Sequence, residues 1–227
     1  MLHFHIITLF PESIGPYLKS SIIGRAIAAK KIKVSFYDPK KFTRDKYGRV
    51  DRRPYGGGPG MVLEPDGMLH AAANALRKAN SERRTANRNK TEVIFFSTDG
   101  TQFNEAMAKK LSKKKDVLLI AGHYEGVDAR VQKILKARKV TMGPFVLTGG
   151  ELPAATLVDA VARFVPGVLG KTESLEASRV ASPEVYTRPE VLVWKGRKYR
   201  VPKVLLSGHH AKIDAWKRSS QGSSAGA

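Results

Sequence analysis

Thr141 to Pro153 reads TMGPFVLTGGELP. A short apolar run ends in Thr148-Gly149-Gly150, and the amphipathic pattern of a helix follows at once. A strand–glycine turn–helix junction lets backbone N–H groups approach a ligand closely, because glycine has no Cβ in the way. Two other pieces have the same character: Phe95-Phe96-Ser97, running on to Thr98-Asp99-Gly100, and Ala121-Gly122-His123-Tyr124-Glu125-Gly126. Ligands of open α/β sheets bind beyond the C-terminal ends of the strands. The three stretches are therefore expected to wall one small-molecule pocket.

The periodicity on either side supports this reading. His3 to Leu9, Lys33 to Tyr37, Glu92 to Ser97, Val117 to Ala121 and Lys139 to Met142 read as strands, several with the continuous apolar centres of buried parallel strands. Helices are expected over Ser21–Lys30, Pro65–Lys78, Asn104–Lys114, Val127–Lys136 and Leu152–Phe164. In the fourth of these, Val127, Val131, Ile134 and Leu135 share one face. Pro11-Glu12 reads as a turn. Strands alternating with helices imply an α/β fold with a mainly parallel sheet. Residues 1–165 form the main domain and Pro166 to Val185 a linker without clear period. Residues 186–227 form a small C-terminal unit, with an edge hairpin near Trp194 to Val201, a short helix over His209–Lys217 and a Ser/Gly/Ala-rich tail.

Charge narrows the partners. Forty Lys and Arg oppose twenty Asp and Glu, a net charge of +20, which attracts polyanions through phosphate contacts and counterion release. Nucleic acid is the leading partner. No apolar run approaches the ~18 residues that span a membrane, and MLHFHIITLFP has neither a basic start nor a cleavage site, so it reads as a first strand. The absence of cysteine excludes disulfides, thiolate nucleophiles and Cys-ligated zinc, and fits a cytoplasmic protein.

Asp38 to Gly60 is polar, basic and glycine-rich, with Phe42, Tyr47 and Tyr55 among the charges. Cations alternating with rings suit a nucleic-acid strand, the cations meeting phosphates and the rings meeting bases. Gly56-Gly57-Gly58-Pro59-Gly60 lacks the Gly-Lys-Ser/Thr ending of a nucleotide-binding P-loop. Six histidines include His3 and His5, alternating on one strand face, and His209-His210, but no HExxH or comparable ligand spacing occurs, so no metal site is assigned. Arg163 sits on the helix that leaves the central stretch, where a guanidinium can stabilise negative charge developing on a substrate oxygen.

Longer strings carry a resemblance. Arg53 to Met61 (RPYGGGPGM), Gly122 to Asp128 (GHYEGVD), Val146 to Ala154 (VLTGGELPA), Asp159 to Gly170 (DAVARFVPGVLG), Tyr186 to Val191 (YTRPEV) and Pro202 to His210, with Leu9-Phe10-Pro11-Glu12 at the start, resemble the bacterial tRNA (guanine-N1-)-methyltransferase family, TrmD. The resemblance runs in order from residue 1 to about 217. It implies a SPOUT-type α/β fold with a trefoil knot, which rules of chain connection alone make very improbable. It implies S-adenosylmethionine held by Phe95, Phe96, Ser97 and Thr98, by Gly122, Tyr124 and Glu125, and by Met142, Gly143, Pro144, Phe145, Val146 and Leu147. For the substrate it points to Arg53, Tyr55, Gly58, Pro59, Gly60, Tyr186 and Arg188. It further implies an obligate homodimer whose active sites are shared between subunits, a tRNA methylated on N1 of guanine 37, and magnesium dependence.

The chemistry has its own requirements. Guanine N1 carries a proton, so methylation needs a base to remove it and a cation to hold charge arising on O6. Arg163 matches the family's arginine in the second role. The family's proposed aspartate base falls, by spacing from Gly170, on Ser178; Glu176 is the preferred substitute and Glu173 the next. His123 replaces the family's usual arginine, and most of the helical segment expected after Trp216 is missing. The competing readings are a non-catalytic RNA-binding protein that lost its base, and a related SPOUT methyltransferase acting on another nucleotide.

Overall fold

A computed structural model of the chain describes residues 1–81, 91–169 and 184–219. The chain separates into two compact units, Met1–Leu169 and Gly170–Ala227.

The first unit is built on a five-stranded sheet. Its strands are β1 (Leu2–Ile7), β2 (Ile32–Tyr37), β5 (Glu92–Gln102), β6 (Asp116–Ile120) and β7 (Arg138–Thr141), in the order β2-β1-β6-β5-β7 and all parallel. Every residue of β1 and β6 is buried, as central strands covered on both faces must be. Alternation divides their side chains between two cores. Phe4, Ile6, Val117 and Leu119 face one side, and Ile7, Leu118 and Ile120 the other.

The first face is covered by α1 (Pro11–Leu18), α2 (Ser21–Ala28), α4 (Glu105–Leu111) and α6 (Glu151–Ala162). The second is covered by α3 (Pro65–Ser81) and α5 (Ala129–Leu135). α3 packs through a stripe of small residues, Ala71, Ala72 and Ala75, which lets the helix lie close to the sheet. Each fully buried large side chain, such as Ile94 or Leu119, is worth about 1.5–3 kcal/mol relative to exposure.

The elements differ from the sequence expectation in three places. Pro11-Glu12 is not a turn but the first turn of α1, since proline is well placed where a helix N–H has no partner. Pro16 lies inside this eight-residue helix, and burial of Ile14 and Leu18 outweighs its missing donor. β5 does not end at Ser97 but runs to Gln102, with a register irregularity against β7 between Phe96 and Thr101. Gly100 is required there, because a Cβ would lie 2.5 Å from the Val140 nitrogen. Ile134 is exposed rather than on the buried face, because α5 begins only at Ala129, capped by Asp128, and presents Val131 to the core.

β1 also buries polar groups. His5 contacts the Tyr37 hydroxyl at 2.9 Å through Nδ1 and Asp116 at 3.0 Å through Nε2, while His3 Nε2 meets the Ser35 hydroxyl at 2.9 Å. No helix among the described residues is long and apolar enough to cross a membrane.

Asp38 to Gly60 is more ordered than its composition implies. It contains a 3₁₀ turn at Pro39–Lys41 and the strand β3 (Asp51–Arg52), which pairs antiparallel with β4 (Val62–Leu63). Asp45 accepts from the backbone of Tyr47 and Arg49, bonds that hold its carboxyl below the usual carboxylate range.

The second unit holds a hairpin, β8 (Val191–Trp194) and β9 (Arg197–Arg200), and two helices, α7 (Lys203–Leu206) and α8 (His210–Ser219). The expected hairpin begins earlier, at Val191, and the expected short helix is α8. None of its described residues, 184–219, is buried.

Candidate active site

The three predicted stretches meet around a cavity of about 530 Å³, at the irregular middle of β5 and at the C-terminal ends of β6 and β7. That is the size range of small-molecule sites. Phe95, Phe96, Ser97 and Thr98 come from the irregular part of β5. Gly122, His123, Tyr124 and Glu125 follow β6, and Met142, Phe145, Val146 and Leu147 follow β7. Gly143 and Pro144 belong to the same loop but are not among the wall residues.

The loops after β6 and β7 touch backbone to backbone. Gly150 N–H donates to the Gly122 carbonyl at 2.7 Å, and His123 bridges antiparallel to Gly149. A Cβ on Gly150 would lie 2.6 Å from Ala121 Cα, so the glycine is needed for the approach and not for an unusual backbone angle. Tyr124 does adopt a positive φ of 58°, a strained geometry that concentrates at functional sites.

A buried carboxylate joins the loops to β1. Glu151, first residue of α6 and 7% exposed, accepts from the Thr8 hydroxyl at 2.7 Å and faces His123 Nδ1 at 3.5 Å. The helix N-terminus favours its negative charge. Phe10 packs on the other side of His123, ring centroids 4.6 Å apart.

On the β5 side Asp99 accepts from Lys139 Nζ at 2.7 Å and from Ser97. The Lys139 ammonium, helped by the Ser97 hydroxyl, holds the Asp99 carboxyl below its ordinary range. Lys139 also lines the cavity, together with Gln132 and Lys133 of α5. Sequence reasoning passed over all three. Strand and helix periodicity gave no sign of them, although their position beside the glycine loops could have.

The glycine-rich segment lies along the rim. Glu125 N–H donates to the Met61 carbonyl at 3.0 Å, Leu63 N–H to Gly126 at 2.9 Å, and Asp128 N–H to Leu63 at 3.0 Å. Gly60 packs directly on the Glu125 side chain. Gly56, Gly57, Gly58 and Gly60 all have positive φ, which explains the run of glycines without any phosphate. Tyr55 is fully exposed beside them. Of the substrate residues expected from the sequence, Gly60 is thus placed against a wall residue, Glu125, while Arg53, Tyr55, Gly58 and Pro59 are not among the wall residues.

Arg163 is elsewhere. It is the C-cap of the twelve-residue α6, whose first turn touches the cavity. At 1.5 Å per residue the two ends are about 18 Å apart. Tyr186 and Arg188 lie in the second unit, where the Tyr186 hydroxyl donates to Glu184 at 2.7 Å, and that carboxylate raises its pKa. Glu173, Glu176 and Ser178 lie outside the described residues.

A parallel α/β sheet with a small-molecule cavity beside its strand ends and two loops locked across it is the frame of an enzyme that binds a cofactor. The comparisons make the class particular. The chain belongs to the tRNA (Guanine-1)-methyltransferase TrmD family, whose profile matches residues 2–225. It is 39% identical over 221 residues to a tRNA (guanine-N(1)-)-methyltransferase of Clostridioides difficile, covering 96% of this chain and 91% of that one. It is 42% identical over 218 residues to the protein of that name from Pseudoalteromonas atlantica, covering 94% and 78%. The crystal structure of tRNA (m1G37) methyltransferase from Aquifex aeolicus superposes with a TM-score of 0.77 at 36% identity, covering 98% of this chain and 91% of that one.

Proposed function

We propose that this chain is an S-adenosylmethionine-dependent tRNA (guanine-N1-)-methyltransferase acting on guanine 37, in the cytoplasm. The observation that carries the reading is the cavity of about 530 Å³ walled by β5 and by the loops after β6 and β7, with Met61 and Leu63 bonded backbone to backbone to the loop after β6. The wall fits the methyl donor. Phe95, Phe96, Val140 and Met142 offer apolar surface, and Gly122, Gly149 and Gly150 leave the backbone open to close approach. Glu125 opposes Lys133 and Lys139 in charge, which suits a zwitterionic amino-acid end. When bound, S-adenosylmethionine supplies a methyl group on an already activated sulfonium, so positioning is the main requirement placed on the protein.

The chain's own residues then divide the remaining work. The loops after β6 and β7 bind the donor and exclude water from it. Tyr55 and Arg53 approach the RNA from the rim. Arg163 holds charge on guanine O6, and Glu176 removes the N1 proton. Because Arg163 is about 15 Å along α6 from Pro153, the residue of that helix on the wall of its own chain's cavity, we assign the guanidinium at each site to a second copy. This supports a homodimer with shared active sites. We assign the loop crossing at Gly122 and Gly150 to a trefoil knot. Magnesium dependence is part of the proposal; Glu125 is the one carboxylate on the described wall, so the ion would be held largely by substrate oxygens.

The test is methyl transfer from labelled donor to unmodified tRNA carrying guanine 37, with the product nucleoside mapped, with and without EDTA. Absence of N1-methylguanine refutes the activity. Full activity of Glu176→Gln refutes the base assignment alone. Mixed dimers of Arg163→Ala and Gly150→Ala chains should regain activity that neither variant has alone. Failure to do so refutes the shared site.

A further inference from the structure

The β8–β9 hairpin presents aromatic and cationic side chains to solvent on a rigid two-residue turn. Its register pairs Val191 with Arg200, Leu192 with Tyr199, Val193 with Lys198 and Trp194 with Arg197. Residues opposite one another share a face, so Leu192, Trp194, Arg197 and Tyr199 lie together on one side. The turn residues Lys195 and Gly196 both have positive φ, 48° and 75°, the combination whose twist matches the strands and fixes that register.

Trp194 is 62% exposed and Tyr199 53%. Two-stranded hairpins are marginal by themselves, and exposed aromatic clusters usually mark a contact surface. The charge says which kind. Lys195, Arg197, Lys198 and Arg200 give the ten residues from Val191 to Arg200 four cations and no acid. Rings set among cations match a strand whose phosphates are charged and whose bases offer faces to stack on. A protein partner chosen by this surface would have to cover four cations as well as the rings.

We propose that the Leu192–Trp194–Arg197–Tyr199 face is a stacking platform for unpaired bases of the RNA substrate. The inference rests on the RNA-modifying reading of the chain and adds to it a contact separate from the donor cavity. Trp194 and Tyr199 stack on bases and Arg197, on the same face, meets a phosphate, while Lys198 and Arg200 lie on the opposite face and add attraction at longer range.

The chain has two tryptophans, Trp194 and Trp216, so the full-length Trp216→Phe variant leaves Trp194 as its single indole reporter. Its emission should be quenched by an unpaired oligonucleotide and far less by a duplex with the same number of phosphates. Trp194→Ala/Tyr199→Ala should weaken tRNA binding at least tenfold while leaving the affinity for S-adenosylhomocysteine unchanged. Arg197→Ala should lower the salt slope of tRNA binding by about one, and Lys198→Ala and Arg200→Ala by less. Equal quenching by duplex and unpaired RNA, or unchanged tRNA affinity of the double variant, overturns the platform. So does a change in sedimentation mass of the RNA-free double variant with tRNA affinity retained, since that outcome makes the face an interface between copies. Methylation at saturating tRNA separates the two levels. If the double variant weakens binding yet still forms N1-methylguanine, both stand; if the wild type forms none, the enzymatic reading falls while quenching still decides the platform.

Discussion

Gly150→Ala places a methyl group where two loops of the cavity meet backbone to backbone. The residue sits in the right-handed helical region, φ −83°, so alanine costs nothing through its own backbone angle. The obstacle is contact: the new Cβ would lie 2.6 Å from Ala121 Cα and 2.9 Å from the Gly122 nitrogen. Neither atom can swing aside as a side chain would. Overpacking of this kind costs roughly 1–3 kcal/mol. Parting the loops also loses the 2.7 Å bond from Gly150 N–H to Gly122, worth about 0.5–1.5 kcal/mol net. The sum, about 2–4 kcal/mol, should fall mainly on the bound state, weakening the donor by about 30- to 700-fold at 1.4 kcal/mol per tenfold. Calorimetric titration with S-adenosylhomocysteine measures it, and urea unfolding shows how much is instead lost from stability. Gly149→Ala is the control, since its Cβ would first meet the side chains of Glu151 and His123, which can turn; its effect should be smaller. A Gly150→Ala protein with wild-type donor affinity and stability would refute the view that this contact shapes the cavity.

Other outcomes follow from single contacts. Thr8→Val removes the hydroxyl that donates to buried Glu151 and should cost about 1.5–3 kcal/mol in urea unfolding, the worth of a hydrogen bond to a charged group. Leu157 and Leu152 share α6, but Leu157 is wholly buried and Leu152 is exposed; Leu157→Ala should lose about 2–5 kcal/mol and Leu152→Ala no more than about 0.5 kcal/mol. Gly15→Ala, with nothing within 4 Å of the added methyl and a helical site in α1, should gain about 0.5–1 kcal/mol by the same measurement. Asp128 caps α5 and its carboxyl is held below its ordinary 3.8, first by the Arg130 side chain and then by the Arg130 N–H. A depressed folded pKa gives stability that is present above about 4 and lost as pH falls through the folded value. Asp128→Ala should therefore be less stable than wild type by about 0.5–2 kcal/mol at pH 7, with the gap closing below pH 4.

The sheet was legible because its strands are buried on both faces and read as apolar runs. Ile120 and Val140 announce themselves that way. The pocket loops were legible because Gly122, Gly149 and Gly150 follow such runs. What escaped were features decided by partners far along the chain. Pro16 looks like a helix breaker until Ile14 and Leu18 are seen packed on the sheet. Ser97 to Gly100 looks like a loop until the strand is seen to resume against β7. Lys139 and Gln132 reach the cavity only because β7 and α5 end beside it. Glu151 carries no local sign of its contact with Thr8, 143 residues earlier. The role of Arg163 and the base position that falls on Ser178, with Glu176 as its substitute, came from resemblance, and no periodicity would have supplied them.

The central place of β6 in the sheet has a consequence for how the chain is made. β1 lies between β2 and β6, and its His5 meets Asp116 across 111 residues of sequence. At about 5–20 residues per second of synthesis, β1 and β2 leave the ribosome roughly 5–20 s before β6. During that interval the nascent protein carries a small two-stranded sheet with one side of β1 open to any passing strand. The same burial that makes β1 a secure centre of the finished molecule makes it the segment most in need of a chaperone while the molecule is being born.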